Sequence, residues 1–260
     1  MKMIIAVQAR NGSTRLLNKS MYPIDNKPII WHIFNNIKKI QEEWGKLLKI
    51  ELGLCTTRED EDSVLVEHAK MFHVRKIIRG KPLHLWEQFY DISRPYDFVM
   101  RVCGDQPFVN IKMAGELLKM VYINNSDYDY YGWSTAKGIP VIQTDMGITT
   151  EIIKTKSFNT RVQLNGKYME HVTSCFYENK KYKSKFIEIP KAITDAKINL
   201  SLDYRQDWLK LNKIYTELRG RTQNLPSLME WFLVNKTNIN IRSKKPYKGL
   251  KHMGVSWEHI

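Results

Sequence analysis

Arg10, Arg15 and Lys19 stand close together directly after a short apolar run, Met3-Ile4-Ile5-Ala6-Val7. Asn11, Gly12, Ser13 and Thr14 fill the space between the first two cations. A buried strand that runs into such a loop can cradle phosphate. Loop amides supply donors, Gly12 lets the backbone approach closely, and the three cations neutralise charge. An ordinary basic surface loop after a first strand has the same composition, so composition leaves both readings open. The loop fits neither the Walker pattern nor the dinucleotide-binding glycine fingerprint, which disfavours a P-loop NTPase or a Rossmann dehydrogenase.

A second candidate is Asp105, in Arg101-Val102-Cys103-Gly104-Asp105-Gln106-Pro107. It follows an apolar strand and is held in a tight turn between Gly104 and Pro107. A carboxylate there, facing a basic phosphate loop, is suitably placed for Mg²⁺ that bridges triphosphate oxygens. Taken alone, a turn Asp that caps the next helix is the simpler reading.

These loops need a scaffold, and apolar periodicity supplies one. Strands are expected at residues 3–7, 49–55, 74–78 and 98–102. Helices are expected at 28–40, 61–72 and 83–93 and around Ala114, Leu117, Leu118 and Val121, where apolar residues recur at helical spacing. Such alternation marks a parallel sheet covered on both faces. In an open α/β sheet, ligands sit beyond the carboxyl ends of the strands. That rule gathers residues 8–19, 56–60, 79–82 and 101–107 on one rim. The second half is less regular: strands and a long loop in 128–144, a helix over 168–179, and strands at 186–189 and 198–202. A helix over 204–218 and a short apolar helix over 225–233 precede a basic tail.

With 260 residues, 43% of them hydrophobic and 11% aromatic, the chain can bury a full core. No run of 18 apolar residues exists, and the opening apolar run is too short for a signal peptide, so a cytoplasmic protein is expected. Cys55, Cys103 and Cys175 have no CxxC spacing and read as buried free thiols. The net charge of +14 favours anionic partners, but no nucleic-acid-binding module is recognisable and the basic residues are spread along the chain.

Gln8-Ala9-Arg10-Asn11-Gly12-Ser13-Thr14-Arg15-Leu16-Leu17-Asn18-Lys19 resembles the signature Q-A-R-x-x-S-T-R-L-P-x-K of the cytidylyltransferases that activate acidic sugars. The spore-coat-polysaccharide type is nearest; the acylneuraminate and 3-deoxy-manno-octulosonate enzymes are further off. Leu17 stands where the family usually has Pro, and Asn18 where near relatives have Gly. Arg101, Gly104, Asp105 and Pro107 match the motif R-x-x-G-D-x-P. Leu202-Asp203-Tyr204-Arg205-Gln206-Asp207 resembles V-D-T-P-E-D, with Tyr204 and Arg205 in place of Thr and Pro. Glu170-His171-Val172-Thr173 reproduces E-H-V-T, and Gly147 to Glu151 resembles G-x-x-x-E. One departure is Gln88, where relatives often carry Arg; it leaves the nucleobase preference open.

The resemblance covers residues 1–220 and implies a three-layer, Rossmann-like nucleotide-diphospho-sugar transferase fold with a mostly parallel sheet. Residues 221–260 are then a helical and basic C-terminal extension. The implied reaction transfers CMP from CTP to a small-molecule acceptor, a sugar acid or related glycan precursor, with Mg²⁺ as cofactor and release of pyrophosphate. Arg10, Arg15, Lys19 and Asp105 are the implied catalytic residues. Arg10, Ser13, Arg15 and Lys19 would hold the triphosphate, with Gly12, Thr14 and Arg101 completing the nucleotide-binding set. Backbone at Ala6, Val7 and Gln8, with Thr56 and Thr57, would contact the base. Asp105 and Asp203 would hold the metal, although Asp203 could equally be the N-cap of the next helix. Glu151, Glu170 and His171 would line the acceptor pocket. A homodimer stays open, and neither a specific nucleic acid nor a transmembrane segment is expected. Two rival readings remain: a nucleotidyltransferase with a phosphate or phosphonate monoester acceptor, and a non-catalytic binder of nucleic acid or anionic surfaces.

Overall fold

A computed structural model describes residues 1–124, 127–159, 168–169 and 171–235. The first strand, β1 (Lys2–Gln8), has Met3 through Val7 wholly buried, as a central strand covered on both faces must be. A two-residue hairpin of β2 (Pro23–Ile24) and β3 (Lys27–Pro28) leads into α1 (Ile29–Trp44). Then follow β4 (Lys49–Thr57), α2 (Ser63–Met71), β5 (Lys76–Gly80), α3 (Leu85–Ser93), β6 (Phe98–Cys103) and α4 (Ile111–Ile123). The later part contributes β7 (Tyr130–Ser134), β8 (Glu151–Lys154), α5 (Ser174–Glu178), β9 (Ser184–Glu188), α6 (Lys191–Asp195), α7 (Arg205–Glu217) and α8 (Leu225–Asn235).

The seven-stranded sheet has the order β5-β4-β1-β6-β8-β7-β9. β1 pairs in parallel with both β4 and β6, and β5 pairs in parallel with β4. β8 runs antiparallel to β6 and β7, and β9 is parallel to β7. The mostly parallel α/β sheet expected from the alternation is therefore present, with β8 as its one reversed strand.

Side chains alternate across β1 and divide the core into two layers. Met3, Ile5 and Val7 face a layer that includes Ile30, Ile33, Phe34 and Ile37 of α1 and Leu117 of α4. Ile4 and Ala6 face the other layer, with Trp86, Phe89 and Ile92 of α3 and Phe176 of α5. Leu225, Leu228 and Phe232 of α8 join the first layer.

Two expected elements differ. Residues 198–202 form no strand: Leu200 and Ser201 both donate their amides to the Asp145 carbonyl, and Leu202 donates to the Asp105 carbonyl. The segment is buried like a strand, but its donors go to loops and not to a sheet edge. Within the described part of residues 168–179, His171 to Thr173 form turns before α5, with Ser174 N–H donating to the His171 carbonyl.

Candidate active site

The strand order reverses between β1 and β6, and the loops that follow these two strands open a cleft of about 550 Å³. The loop after β1 is anchored from below by Asn11. Its amide donates to Asp62 Oδ1 at 2.6 Å, its side chain donates to the Glu61 carbonyl, and its own carbonyl accepts from Ser13 and Asn18. Asp62, only 1% exposed, also accepts from the Thr57 hydroxyl and amide. One buried carboxylate thus ties the loop after β1 to the end of β4. Asn18 adopts φ 55°, a left-handed conformation that Asn tolerates better than most residues, so Gly is dispensable there.

The loop carries its cations into one cluster. Lys19 Nζ lies 3.0 Å from Asp105 Oδ2, 3.4 Å from Asp203 Oδ1 and 3.2 Å from the Leu202 carbonyl. Arg15 Nη2 lies 2.6 Å from the same Asp203 oxygen, and its guanidinium rests over the Tyr204 ring at 5.6 Å. Burial acts to lower the Lys19 pKa, but the charges of Asp105 and Asp203 outweigh it and hold the ammonium above its ordinary value. Arg10 points the other way along the cleft, donating to the Pro82 carbonyl at 2.9 Å.

Three local devices place the carboxylates. Gly104 N–H donates to the Gln8 carbonyl at 2.7 Å, and a Cβ there would stand 2.7 Å from Ala9 Cβ. Only glycine allows the loop before Asp105 to lie this close to the end of β1. Asp203 is not the helix N-cap. Tyr204 takes that place, and Asp207 accepts the amides of both Tyr204 and Asp203. That leaves the Asp203 carboxylate to face Lys19 and Arg15. Trp208 fixes the same helix by donating to the Pro23 carbonyl at 2.7 Å.

Arg101 sits deeper, with Nε donating to Gln8 Oε1 at 2.8 Å and Nη1 2.5 Å from Glu151 Oε2. Tyr130 donates to the other Glu151 oxygen at 2.5 Å. Burial opposes the Arg101 charge, yet Cys103 and Glu151 keep its pKa raised; Tyr130 is pushed well up by burial and by Glu151. Sequence reasoning did not find this arrangement, nor the Asn11–Asp62 clamp.

The cleft brings together Gln8, Arg10, Arg15, Lys19, Thr56, Thr57, Arg101, Asp105 and His171 among the expected residues. Asp203 joins them through Lys19 and Arg15. Ala6 and Val7 lie wholly in the core, their strand paired on both sides. Gly12, Ser13 and Thr14 are at the outer turn of the loop, where Ser13 Oγ accepts the Leu16 amide at 3.4 Å. Glu151 is 1% exposed, and its two oxygens take Arg101 and Tyr130. Glu170 lies outside the described residues. Cys103 is half-buried on the cleft wall, unlike the buried Cys55 and Cys175. Gln143, Thr173, Ser174 and Tyr177 also line the far wall, and of these only Thr173 belongs to a motif recognised in the sequence.

Among the described residues no group of three or more His, Cys, Asp or Glu could hold a metal ion. A Mg²⁺ that carries nucleotide needs less, one or two carboxylates with phosphate oxygens and water completing its shell. Asp105 and Asp203 converge on one ammonium nitrogen, so they can share one cation, and the donor set fits.

A mostly parallel sheet with a cation-rich loop and paired carboxylates at its switch point is a frame suited to a phosphate-bearing ligand. A cytidylyltransferase from Leptospira borgpetersenii superposes with a TM-score of 0.76 at 24% identity, covering 95% of this chain and 99% of its own. A CMP:2-keto-3-deoxy-manno-octonic acid synthetase complexed with CTP superposes with a TM-score of 0.61 at 13% identity, over 84% of this chain and all of its own. In sequence, the spore coat polysaccharide biosynthesis protein SpsF of Bacillus subtilis is 22% identical over 84% of this chain and 88% of its own. The cytidylyltransferase family profile matches residues 4–211, and the chain belongs to that family of CTP-dependent enzymes. No helix among the described residues is long and apolar enough to cross a membrane.

Proposed function

We propose that this chain transfers CMP from CTP to an oxygen of a sugar acid or related glycan precursor, with release of pyrophosphate, and that Mg²⁺ is required. The observation that carries the reading is Lys19 Nζ held between Asp105 and Asp203, with Arg15 on the same Asp203 oxygen. Two cations and two carboxylates at one point suit a ligand that brings both negative phosphate and a metal ion. The acceptor oxygen attacks the α-phosphorus in line, the bond to the bridging oxygen breaks, and pyrophosphate leaves as the acceptor proton is released.

Such chemistry rests on positioning and charge neutralisation. Arg10, Ser13, Arg15 and Lys19 grip the triphosphate, and Asp105 and Asp203 would hold Mg²⁺. When bound, the ion would supply charge neutralisation at the phosphate oxygens. Glu151 acts through Arg101, holding that guanidinium beside Gln8. His171 and its neighbours on the far wall face the acceptor, and catalysis resides in residues 1–220. The SpsF name supports a glycan precursor as acceptor.

The test is pyrophosphate release from CTP across a panel of sugar acids and glycan precursors. Asp105→Ala should abolish release while circular dichroism stays native. Full activity in excess EDTA would remove the metal from the proposal. A phosphate monoester used in preference to every sugar would reassign the acceptor.

A further inference from the structure

Gln88 lines the cleft from α3, and it is 98% buried by its 2% exposure. Its Nε2 donates to the Lys81 carbonyl at 3.0 Å, whereas its Oε1 is buried with no protein partner. A carbonyl accepts only, so the Lys81 bond fixes which end of the amide is NH₂. The unpartnered end is therefore an acceptor, and it cannot swap roles by turning over.

The side chain packs closely against the backbone of β5. A Cβ on Gly80 would stand 2.6 Å from Gln88 Cγ, so glycine at the end of β5 makes room for the amide. Cys55 Sγ donates to the Gln88 carbonyl at 3.8 Å and ties this turn of α3 to β4. In register, Thr57 of β4 lies beside Gly80, and Thr56 is its neighbour on the cleft wall. Thr56 Oγ1 is also buried without a partner. Cys55, Pro82 and Leu85 supply apolar surface to the same wall. The arrangement is an apolar slot with one fixed acceptor and one hydroxyl.

A buried acceptor left unpaired is costly, and a ligand that supplies the donor removes that cost. Cytosine offers an exocyclic amine beside two acceptors, N3 and O2. Uracil places a carbonyl where that amine would be and would set acceptor against acceptor. The Thr56 hydroxyl can rotate to suit either base, so it does not discriminate. We propose that Gln88 Oε1 reads the cytosine amine and is the residue that separates CTP from UTP in this chain. The assignment rests on the cytidylyltransferase reading and adds the residue that sets base choice.

The experiment measures binding of CTP, UTP and the CTP analogue lacking the exocyclic amine, by calorimetry with Mg²⁺ and no acceptor. Wild type should bind CTP about ten- to a hundred-fold tighter than either alternative, because a site built for a hydrogen bond rejects the ligand that lacks it. Gln88→Met keeps length and apolar bulk but has no such acceptor. It should bind CTP and the analogue within about two-fold, and UTP should bind more tightly than it does to wild type, because the opposed acceptor is gone. Gln88→Leu carries the same expectation should the Met variant fail to fold. Equal binding of CTP and the analogue by wild type would overturn the assignment, as would a full CTP preference in the variants. No nucleotide binding by wild type would overturn the cytidylyltransferase reading and this assignment together. Tight CTP binding with an unaltered preference would overturn only the role of Gln88.

Discussion

Arg15 has a half-exposed side chain, yet its guanidinium is 2.6 Å from Asp203 and stacks on Tyr204. As a plain surface ion pair it would add about 0–1 kcal/mol to stability. As a grip on triphosphate it makes charge-assisted hydrogen bonds worth roughly 1.5–3 kcal/mol, or about 10- to 150-fold in kcat/KM. An ammonium reproduces neither the planar fork nor the stacking, so Arg15→Lys should lose activity despite keeping its charge. Lys19→Arg should be milder, and Arg10→Ala and Lys19→Ala should each fall in the same range. Steady-state CTP kinetics decide; near-wild-type values in all of these variants would move the phosphate site elsewhere. Glu151 is a different kind of residue, because removing it strands a buried guanidinium. Glu151→Ala should cost about 3–5 kcal/mol of stability by urea unfolding, and a loss below about 1 kcal/mol would show that Arg101 finds another partner. Arg101 and Asp105 were legible because each sits in a short contiguous motif. The carboxylate partner of Arg101 was not, since Glu151 meets it only through sheet register and is held there by Tyr130. Asp62 was hidden in the acidic run Glu59-Asp60-Glu61-Asp62, which reads as a solvated face until the loop after β1 closes over it.

Element by element, the approach of segment 198–202 to residues 145–148 positions half of the carboxylate pair. Gly147 has φ +66°, and a Cβ there would stand 2.6 Å from the Ser201 amide nitrogen and 2.7 Å from the Leu200 carbonyl carbon. Both neighbours are backbone and cannot step aside cheaply. Gly147→Ala should destabilise the fold by roughly 1–3 kcal/mol and also lower kcat/KM, because Leu202 and Asp203 must shift with their segment. Urea midpoints and CTP kinetics on the one variant test this. A stability loss with unchanged kinetics would mean that Asp203 is held by α7 alone. The first half of the fold was legible because βα units bury their strands on both faces and leave long apolar runs with clear periods. The strands expected at 3–7, 49–55 and 98–102 lie within β1, β4 and β6, and the strand expected at 74–78 begins two residues later as β5. β8 was not legible as a strand, since Glu151-Ile152-Ile153-Lys154 is four residues long and its acidic end is neutralised from a neighbouring strand. Segment 198–202 misled for the converse reason. Its alternation is real and its burial is real, but burial comes from loops and α7 rather than from pairing.

Over the whole molecule, 41 Lys and Arg against 27 Asp and Glu give a surface that attracts any polyanion. The cleft is more selective than the surface. At about 550 Å³ it admits a nucleotide, and Asp105 and Asp203 stand beside its cations, where a bare phosphate backbone gains nothing from carboxylates. These two sources of attraction respond differently to salt. The Debye length shrinks from about 10 Å at 0.1 M to about 3 Å at 1 M, which screens the spread surface charge before the short contacts inside the cleft. Duplex DNA held by neutralised phosphates loses about 10³–10⁵ in affinity between 50 and 200 mM salt when six to ten phosphates are engaged. CTP with Mg²⁺ should therefore weaken only moderately over that interval, and duplex DNA should fail to displace it at the upper end. The measurement is competition between labelled CTP and unlabelled duplex across the salt series, repeated with Asp105→Asn. In that variant CTP binding with Mg²⁺ should drop while DNA binding at low salt rises slightly, because one negative charge has left a basic face. DNA that displaced CTP from wild type at about 200 mM salt would restore the polyanion-binding reading and make the cleft part of that surface.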